Sequence, residues 1–395
     1  MIKKRIICFS VLSVLAFSPF EAKCAQPSPF KGRRLQFLIV GGREGLEKRF
    51  GPNFRELYLH DNLAALDLVL LALAEKPLDK NQLVKQTHLP VEEVEKLTSM
   101  AQALNIIVLR DKAWATTVPV FTGGEMVAMK SHLSSLGERI VAYISEAIPQ
   151  LADAYSRTRT VDDPDWDRVA HMFIDYSLMD STFLSCISQL ETQRGFRKHY
   201  SKKQDALPAF YLELGPNFSN FGCNSYSFNI PEKNMQIDVN VLHGTLFSRP
   251  KFSMSQYENH PDLPLSIFKL LPQGSKENLL EKEKEILEGL GWLDRGKPMV
   301  PILNRTTWMN MYPQIRNASQ AASEIVFAHF NVIEESFQNS PYSKFLDGAG
   351  DYIQYSYHVL MYIVIEKLIR NGLLPPIPKP LPEWFGTYII YAASK

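Results

Sequence analysis

From 63 to 74 the chain is an almost unbroken apolar run, which predicts a buried helix. Pro77 interrupts it. Asp79, a residue type that accepts backbone N–H bonds at helix starts, opens a short second helix over 80–86. Thr87-His88-Leu89 turns the chain into Pro90, whose missing N–H costs nothing in a first helical turn. Val91, Val94, Leu97, Ala101 and Leu104 then recur every three or four positions and predict one buried face of a third helix over 90–104. Asn105 is a helix stop. The β-branched stretch 106–109, the turn Arg110-Asp111-Lys112 and the stretch 113–120 predict a strand, a turn and a returning strand.

Two long helices are expected next. Leu133, Leu136, Ile140, Ile144, Ala147, Leu151 and Tyr155 hold helical spacing, and Pro164 opens a second run through Val169, Phe173, Tyr176, Phe183 and Ile187. The later chain echoes this order. An apolar segment at 263–271 precedes a turn at 272–275, and Ser275 caps a predicted helix over 276–289 with Leu280, Ile286, Leu287 and Leu290 facing inward. Trp292-Leu293, the turn 294–297 and 300–303 read as strand, turn, strand. Two more helical runs follow, one through Ala322, Ile325, His329, Ile333 and Phe337, the other over 352–369. Between these halves, 210–214, 225–230 and 235–242 read as strands separated by turn residues. The stretch 374–384 holds five prolines, which fit a rigid wrap onto the body or an exposed polyproline ligand.

Three helices followed by a β-hairpin resemble the winged helix-turn-helix superfamily, and the stretch KNQLVKQTHLPVEEVEKLTSMAQALNIIVLRDKAWATT carries the resemblance. It covers 63–120, with a degenerate second copy at 263–303 that lacks one short helix. The resemblance implies an architecture rather than an activity. TVPVFTGGEMVAM at 117 also resembles MVPILNRTTWMNM at 299, and FIDYS at 173 sits where AGDYI sits at 349. A Gly-Pro-Asn-Phe occurs at both 51 and 215. The expected fold is therefore α+β, mostly α, in two similar halves. The expected divisions are a signal peptide 1–25, an N-terminal segment 26–62, winged unit one 63–120, helical pair one 121–205, a β-rich insert 206–255, winged unit two 256–303, helical pair two 304–373 and a Pro-rich tail 374–395.

The first residues change the functional picture. Lys3, Lys4 and Arg5 precede a mostly apolar run over 6–17, then Pro19 and the small residues Ala22, Cys24 and Ala25, which is the layout of a cleaved export signal. That run is shorter than the roughly 20 residues a membrane span needs. Lys23 disfavours a lipid anchor at Cys24, so release into the periplasm or extracellular space is the expectation. Cleavage near 24–25 leaves 39 basic against 41 acidic side chains, a net −2, which offers nothing to attract nucleic acid or acidic lipid. Hydrophobic residues make up 45 % of the chain, enough for substantial cores. No stretch in the mature chain reaches membrane-span length.

No chemical motif identifies a reaction. No CxxC spacing supports a cysteine zinc site, and Cys186 and Cys223 are left either as a disulfide or as two separate buried thiols. His171 and Asp175 share a helix face, and His329 stands near Glu334 and Glu335, but two ligands do not make a metal site. Leu38-Ile39-Val40-Gly41-Gly42 resembles a strand and glycine loop without the dinucleotide spacing, and YLELGPNF at 211 has only a faint look of a methyltransferase loop. Asp175-Tyr176 and Asp351-Tyr352 occupy matching places and suggest a contact repeated in both halves. The third helix shows Glu92, Glu93, Glu95 and Lys96, and its later counterpart Glu277, Glu281, Glu283, Glu285 and Glu288 among lysines, which would repel phosphate. The expected function is thus an exported, non-enzymatic protein-binding or scaffolding role with a protein partner and no cofactor. The alternatives are a winged-helix DNA-binding regulator with a misread N-terminus, and an enzyme whose site lies between the halves.

Overall fold

Asp79 behaves as its chemistry dictates. Its carboxylate accepts the Gln82 N–H at 2.9 Å while the Gln82 side chain takes the Asp79 N–H at 2.9 Å, a reciprocal cap that starts a helix at Lys80. The computed structural model describes residues 28–39, 63–193, 209–214, 221–244, 262–272, 279–340, 343, 349–382 and 384–393. The signal segment, the Gly41-Gly42 loop, both Gly-Pro-Asn-Phe stretches and the Ser275 cap lie outside these residues.

A strand β1 (Arg34–Ile39) precedes three helices, α1 (Leu63–Glu75), α2 (Lys80–Thr87) and α3 (Val91–Ala103), and a hairpin of β2 (Ile107–Arg110) and β3 (Ala113–Thr116). The returning strand predicted to reach 120 stops at Thr116. Val120–Phe121 forms a separate strand β4, because it pairs with a different sheet. The helix α4 (Gly123–Thr158) follows, then α5 (Trp166–His171), a π-helix (Met172–Thr182) and α6 (Phe183–Gln193). Strands β5 (Ala209–Leu214), β6 (Phe221–Ile230) and β7 (Met235–Gly244) lead to α7 (Leu263–Leu270), α8 (Glu281–Gly289) and a short hairpin of β8 (Leu293–Asp294) and β9 (Lys297–Pro298). Then come β10 (Ile302–Asn304), α9 (Arg305–Ala328), α10 (Phe330–Gln338), α11 (Ala349–Arg370) and β11 (Thr387–Ala393). The predicted run 322–337 is thus two helices, broken at His329. The fold is α+β and mostly α. No helix among the described residues is long and apolar enough to cross a membrane.

The three strands expected as one insert exist, but two sheets share them. One sheet has the order β1-β5-β4, the other β10-β11-β7-β6. The proline-rich tail likewise ends in a central strand of the second sheet, where β11 pairs parallel with β10 and antiparallel with β7.

The two regions use the same bonds. Helix α3 ends with Ile106 N–H on Ala101 O and Asn105 N–H on Gln102 O, and α8 ends with Trp292 N–H on Leu287 O and Gly291 N–H on Glu288 O. Both are left-handed caps, with φ 54° at Asn105 and φ 69° at Gly291, residue types that tolerate that region. Ile106 and Trp292 plug the cores beneath. Val120 pairs parallel with Tyr211, which pairs antiparallel with Phe37; Ile302 pairs parallel with Ile389, which pairs antiparallel with Val239. Tyr211 N–H bonds Pro119 O as Ile389 N–H bonds Pro301 O.

Three apolar cores result. One joins α1–α3 to Tyr211, another joins α7 and α8 to one face of the second sheet, and the largest unites the long helices with the opposite face of that sheet. Gly137 lets α4 and α11 touch, since a Cβ there would lie 2.6 Å from Ile363 Cγ2.

Candidate functional site

The helical spacing predicted through 187 breaks at its centre. Met172–Thr182 bonds from i to i+5, a winding that is rare and appears frequently at functional sites. Residues five apart on an α-helix point roughly 140° away from each other. The π winding changes that direction within 172–182. Helix α9 supports the unusual backbone: Ser319 Oγ donates to Leu178 O at 2.9 Å, Ser323 Oγ to Phe183 O at 3.5 Å, and Trp308 Nε1 to Ser177 Oγ at 3.1 Å.

His171, 2 % exposed, ends α5 and ties this segment to the C-terminal wrap. Its Nε2 lies 2.9 Å from Pro375 O, which only accepts, so Nε2 carries a proton and donates. Nδ1 lies 2.7 Å from Asp175 Oδ2. Burial alone would lower the imidazole, but the Asp175 charge and bond and the Pro375 carbonyl raise it above its usual value. Burial raises the Asp175 carboxyl too, against the opposing pull of His171. The pair therefore holds a shared proton between Nδ1 and Oδ2. Phe385 packs edge-on to the His171 ring at 5.6 Å, and Arg168 lies 5.7 Å over Trp384. With both nitrogens engaged, the imidazole acts as a latch on the chain that leads into β11.

The other side of the π-helix meets the second sheet. Successive side chains alternate between faces, and Cys223, Leu242, Tyr388 and Ile390 belong to the helix-facing core. Asn240 stands directly across from Tyr388 on one side and Ser225 on the other, so it shares that face. Asn240 is 1 % exposed, and neither its amide oxygen nor its nitrogen has a hydrogen-bond partner; Asp175 Oδ1 is equally without one. Tyr176 hydrogen-bonds Ser225. Asp180 is partly buried and takes the Cys223 backbone N–H; burial raises its carboxyl to about 7, against that bond. Burial, then Asp180 and Asp175, push the Cys223 thiol up, and burial, then Asp175 and Cys223, do the same to the Tyr388 phenol. Burial and Asp180 raise the Tyr357 phenol of α11.

Two carboxylates brace the frame around this layer. Asp163 accepts Thr160 N–H at 2.7 Å and Thr160 Oγ1 at 2.9 Å, and across the molecule Asn304 N–H at 2.9 Å and Thr307 Oγ1 at 2.7 Å at the start of α9. Glu213 accepts both arms of Arg33, at 2.5 and 2.7 Å, and the first N–H of α4 at 2.6 Å. Burial raises the Glu213 carboxyl, but these donors outweigh it and leave it lowered.

The residues singled out by sequence separate here. Cys186 on α6 and Cys223 on β6 are both buried and stand as thiols, not joined to each other. Tyr176 faces the sheet, whereas Tyr352 bonds Ser336 of α10 at 2.9 Å, so the two tyrosines hold different partners; the Asp351 side chain lies outside the description. His171 and Asp175 do meet, through each other rather than a metal. Among the described residues no three His, Cys, Asp or Glu side chains converge as a metal site requires. Sequence reading missed Asp180, Asn240, Tyr357 and Tyr388. The signal for Asn240 was a lone amide among Val239, Val241 and Leu242 in a strand. The chain matches no known family model, no curated protein and no solved structure.

Proposed function

We propose that this is an exported, non-enzymatic binding protein made of two equivalent halves, each offering a winged-helix-like module to a partner protein. The common caps, plugs and strand registers described above support the equivalence. In this reading the halves span roughly 34–214 and 235–393, so that β5 closes the first and β7 opens the second. The basic start and short apolar run at the N-terminus support export.

The observation that carries the reading is the chemistry of the outward helices. On α3, Val91, expected on the buried face, is instead 40 % exposed at the first turn beside exposed Glu92 and Glu95, and Leu109 of the hairpin is 48 % exposed. Leu280, expected to face inward, instead caps the start of α8 and is 68 % exposed, ahead of exposed Glu281, Glu285 and Glu288. Both stretches thus show an exposed aliphatic side chain among acids, of which Glu95 pairs with Lys80 and Glu281 with Lys284, a mixed surface that favours a protein over phosphate.

Photo-crosslinkers placed at Val91 and Leu280 in the native host are expected to capture the same protein from both modules, and the mature protein is expected to show no salt-dependent affinity for DNA. DNA binding whose affinity falls steeply with salt, or crosslinks at neither position, would refute the proposal. Sequencing the mature N-terminus checks export separately.

A further inference from the structure

We propose that the pocket between α2 and the turn at 28–31 binds a small carboxylate that carries a neutral hydrogen-bond donor beside the charge, as an acylated amino acid does. The pocket measures about 340 Å³, at the small end of the range for ligand sites. Gln82, Lys85 and Gln86 stand at i, i+3 and i+4 on α2 and so share one face of it, which forms a wall. Lys76 and Leu78 enter from the connection to α1, Pro29 from the turn, and His88 from the residue that ends α2.

Each piece is held by the chain's own bonds. Leu78, 1 % exposed, bonds Trp114 of β3 through both its backbone groups, at 3.0 and 2.8 Å. Lys31 N–H closes the turn on Ser28 O at 2.9 Å, and Ser28 Oγ donates to Gln86 O at 3.2 Å. The Asp79 cap fixes the first turn of α2. A ligand therefore meets a preformed shape, which lowers the ordering cost of binding.

The lining selects negative charge. Lys76 and Lys85 bring two ammonium groups, neither ion-paired among the described residues, and no lining residue is acidic. The acids nearest in sequence are engaged elsewhere: Asp79 accepts the Gln82 N–H, and Glu75 lies within electrostatic reach of Arg33. The carbonyls at the end of α2, whose dipoles disfavour an anion, are occupied. Leu83 O takes Thr87 Oγ1 at 2.7 Å, Val84 O takes the His88 N–H at 2.9 Å, and Gln86 O takes Ser28.

An anion alone leaves one group unserved. Gln86 Oε1 is buried and has no hydrogen-bond partner. It only accepts, so an N–H or O–H of the ligand completes it. A free amino group would bring a third positive charge beside two lysines, so the donor is neutral. Leu78 and Pro29 offer apolar surface to the body that joins donor and carboxylate.

The test is calorimetric titration of the purified protein with N-acetylleucine, with N-acetylleucinamide, which lacks the charge, and with isocaproate, which lacks the N–H. N-acetylleucine is expected to bind saturably and more weakly as salt is raised. The amide should bind about tenfold weaker or less well still, and isocaproate about fivefold weaker, the worth of one net hydrogen bond. Lys85→Glu, at an exposed side chain, should abolish binding, and Gln86→Leu should erase the preference for N-acetylleucine over isocaproate. The wild-type titrations and Lys85→Glu decide the matter if Gln86→Leu does not fold. No saturable binding of N-acetylleucine, equal affinity for its amide or for isocaproate, or unchanged affinity in Lys85→Glu overturns the proposal.

Discussion

Replacing Asp180 by Asn separates a proton effect from a packing effect. The wild-type carboxyl titrates at about 7 in the folded protein, against 3.8 for an ordinary aspartate, because burial outweighs its bond from Cys223. A folded-state value above the unfolded one means that the native protein holds the proton more tightly. The associated stability is complete below the unfolded value and is lost as pH rises through about 7. Between about pH 6 and about pH 8 this single group removes about 1.4 kcal/mol, an upper figure because its partial exposure lets water stabilise the ion. The amide keeps the shape and can still accept the Cys223 N–H, but it cannot ionise. His171, Asp175 and Asp67, the last also raised to about 7 by burial against its Arg34 partner, titrate in the same direction, so the wild-type slope alone is not diagnostic. The difference between wild type and Asp180→Asn is. Urea unfolding at both pH values should show the two proteins diverging by about 1 kcal/mol or more, with wild type losing more at the higher pH. Parallel stabilities across that range would refute the reasoning.

Gly137→Ala forces a methyl against Ile363 and should cost about 1–3 kcal/mol in urea unfolding, part of it recovered by Ile363→Ala. Asp163→Ala leaves four donors unserved, two of them at the start of α9, and should cost about 3 kcal/mol or more, with Asp163→Asn costing less. His171→Ala strands a buried carboxyl and frees Pro375; a loss of about 3–5 kcal/mol and faster amide exchange across 387–393 are expected. Cys186 and Cys223 should resist alkylation in the native protein and both react in denaturant without reductant, with two adducts by mass spectrometry; failure to react there would reveal a disulfide.

The helices over 63–103 were legible because their signals are local. Asp79, Pro90 and the apolar spacing of α3 each act within a turn or two of chain. The strands 210–214, 225–230 and 235–242 were legible as strands for the same reason, but their partners were not. Nothing in β5 says that it will pair with β1, more than 160 positions earlier, rather than with β6 close by. The buried layer was hidden for a related reason. Gln236, Asp238 and Asn240 alternate with Ile237, Val239 and Val241, a pattern that normally marks a solvated face, yet helices cover that face at Asn240. The π winding was equally silent, since the apolar positions before and after it continue an acceptable α spacing.

The backbone likenesses around α3 and α8 do not extend to the long helices. The caps of α3 and α8 and the strand pairs at Val120 and Ile302 share their pattern of bonds, whereas Asp175-Tyr176 lies on a π-helix and Asp351-Tyr352 lies on the regular helix α11. The rewinding moves side chains locally, because the extra residue per turn is absorbed within 172–182 and supported by Ser319 and Ser323. A π segment and unsatisfied buried groups both cost stability. Here the two occur together against one sheet face.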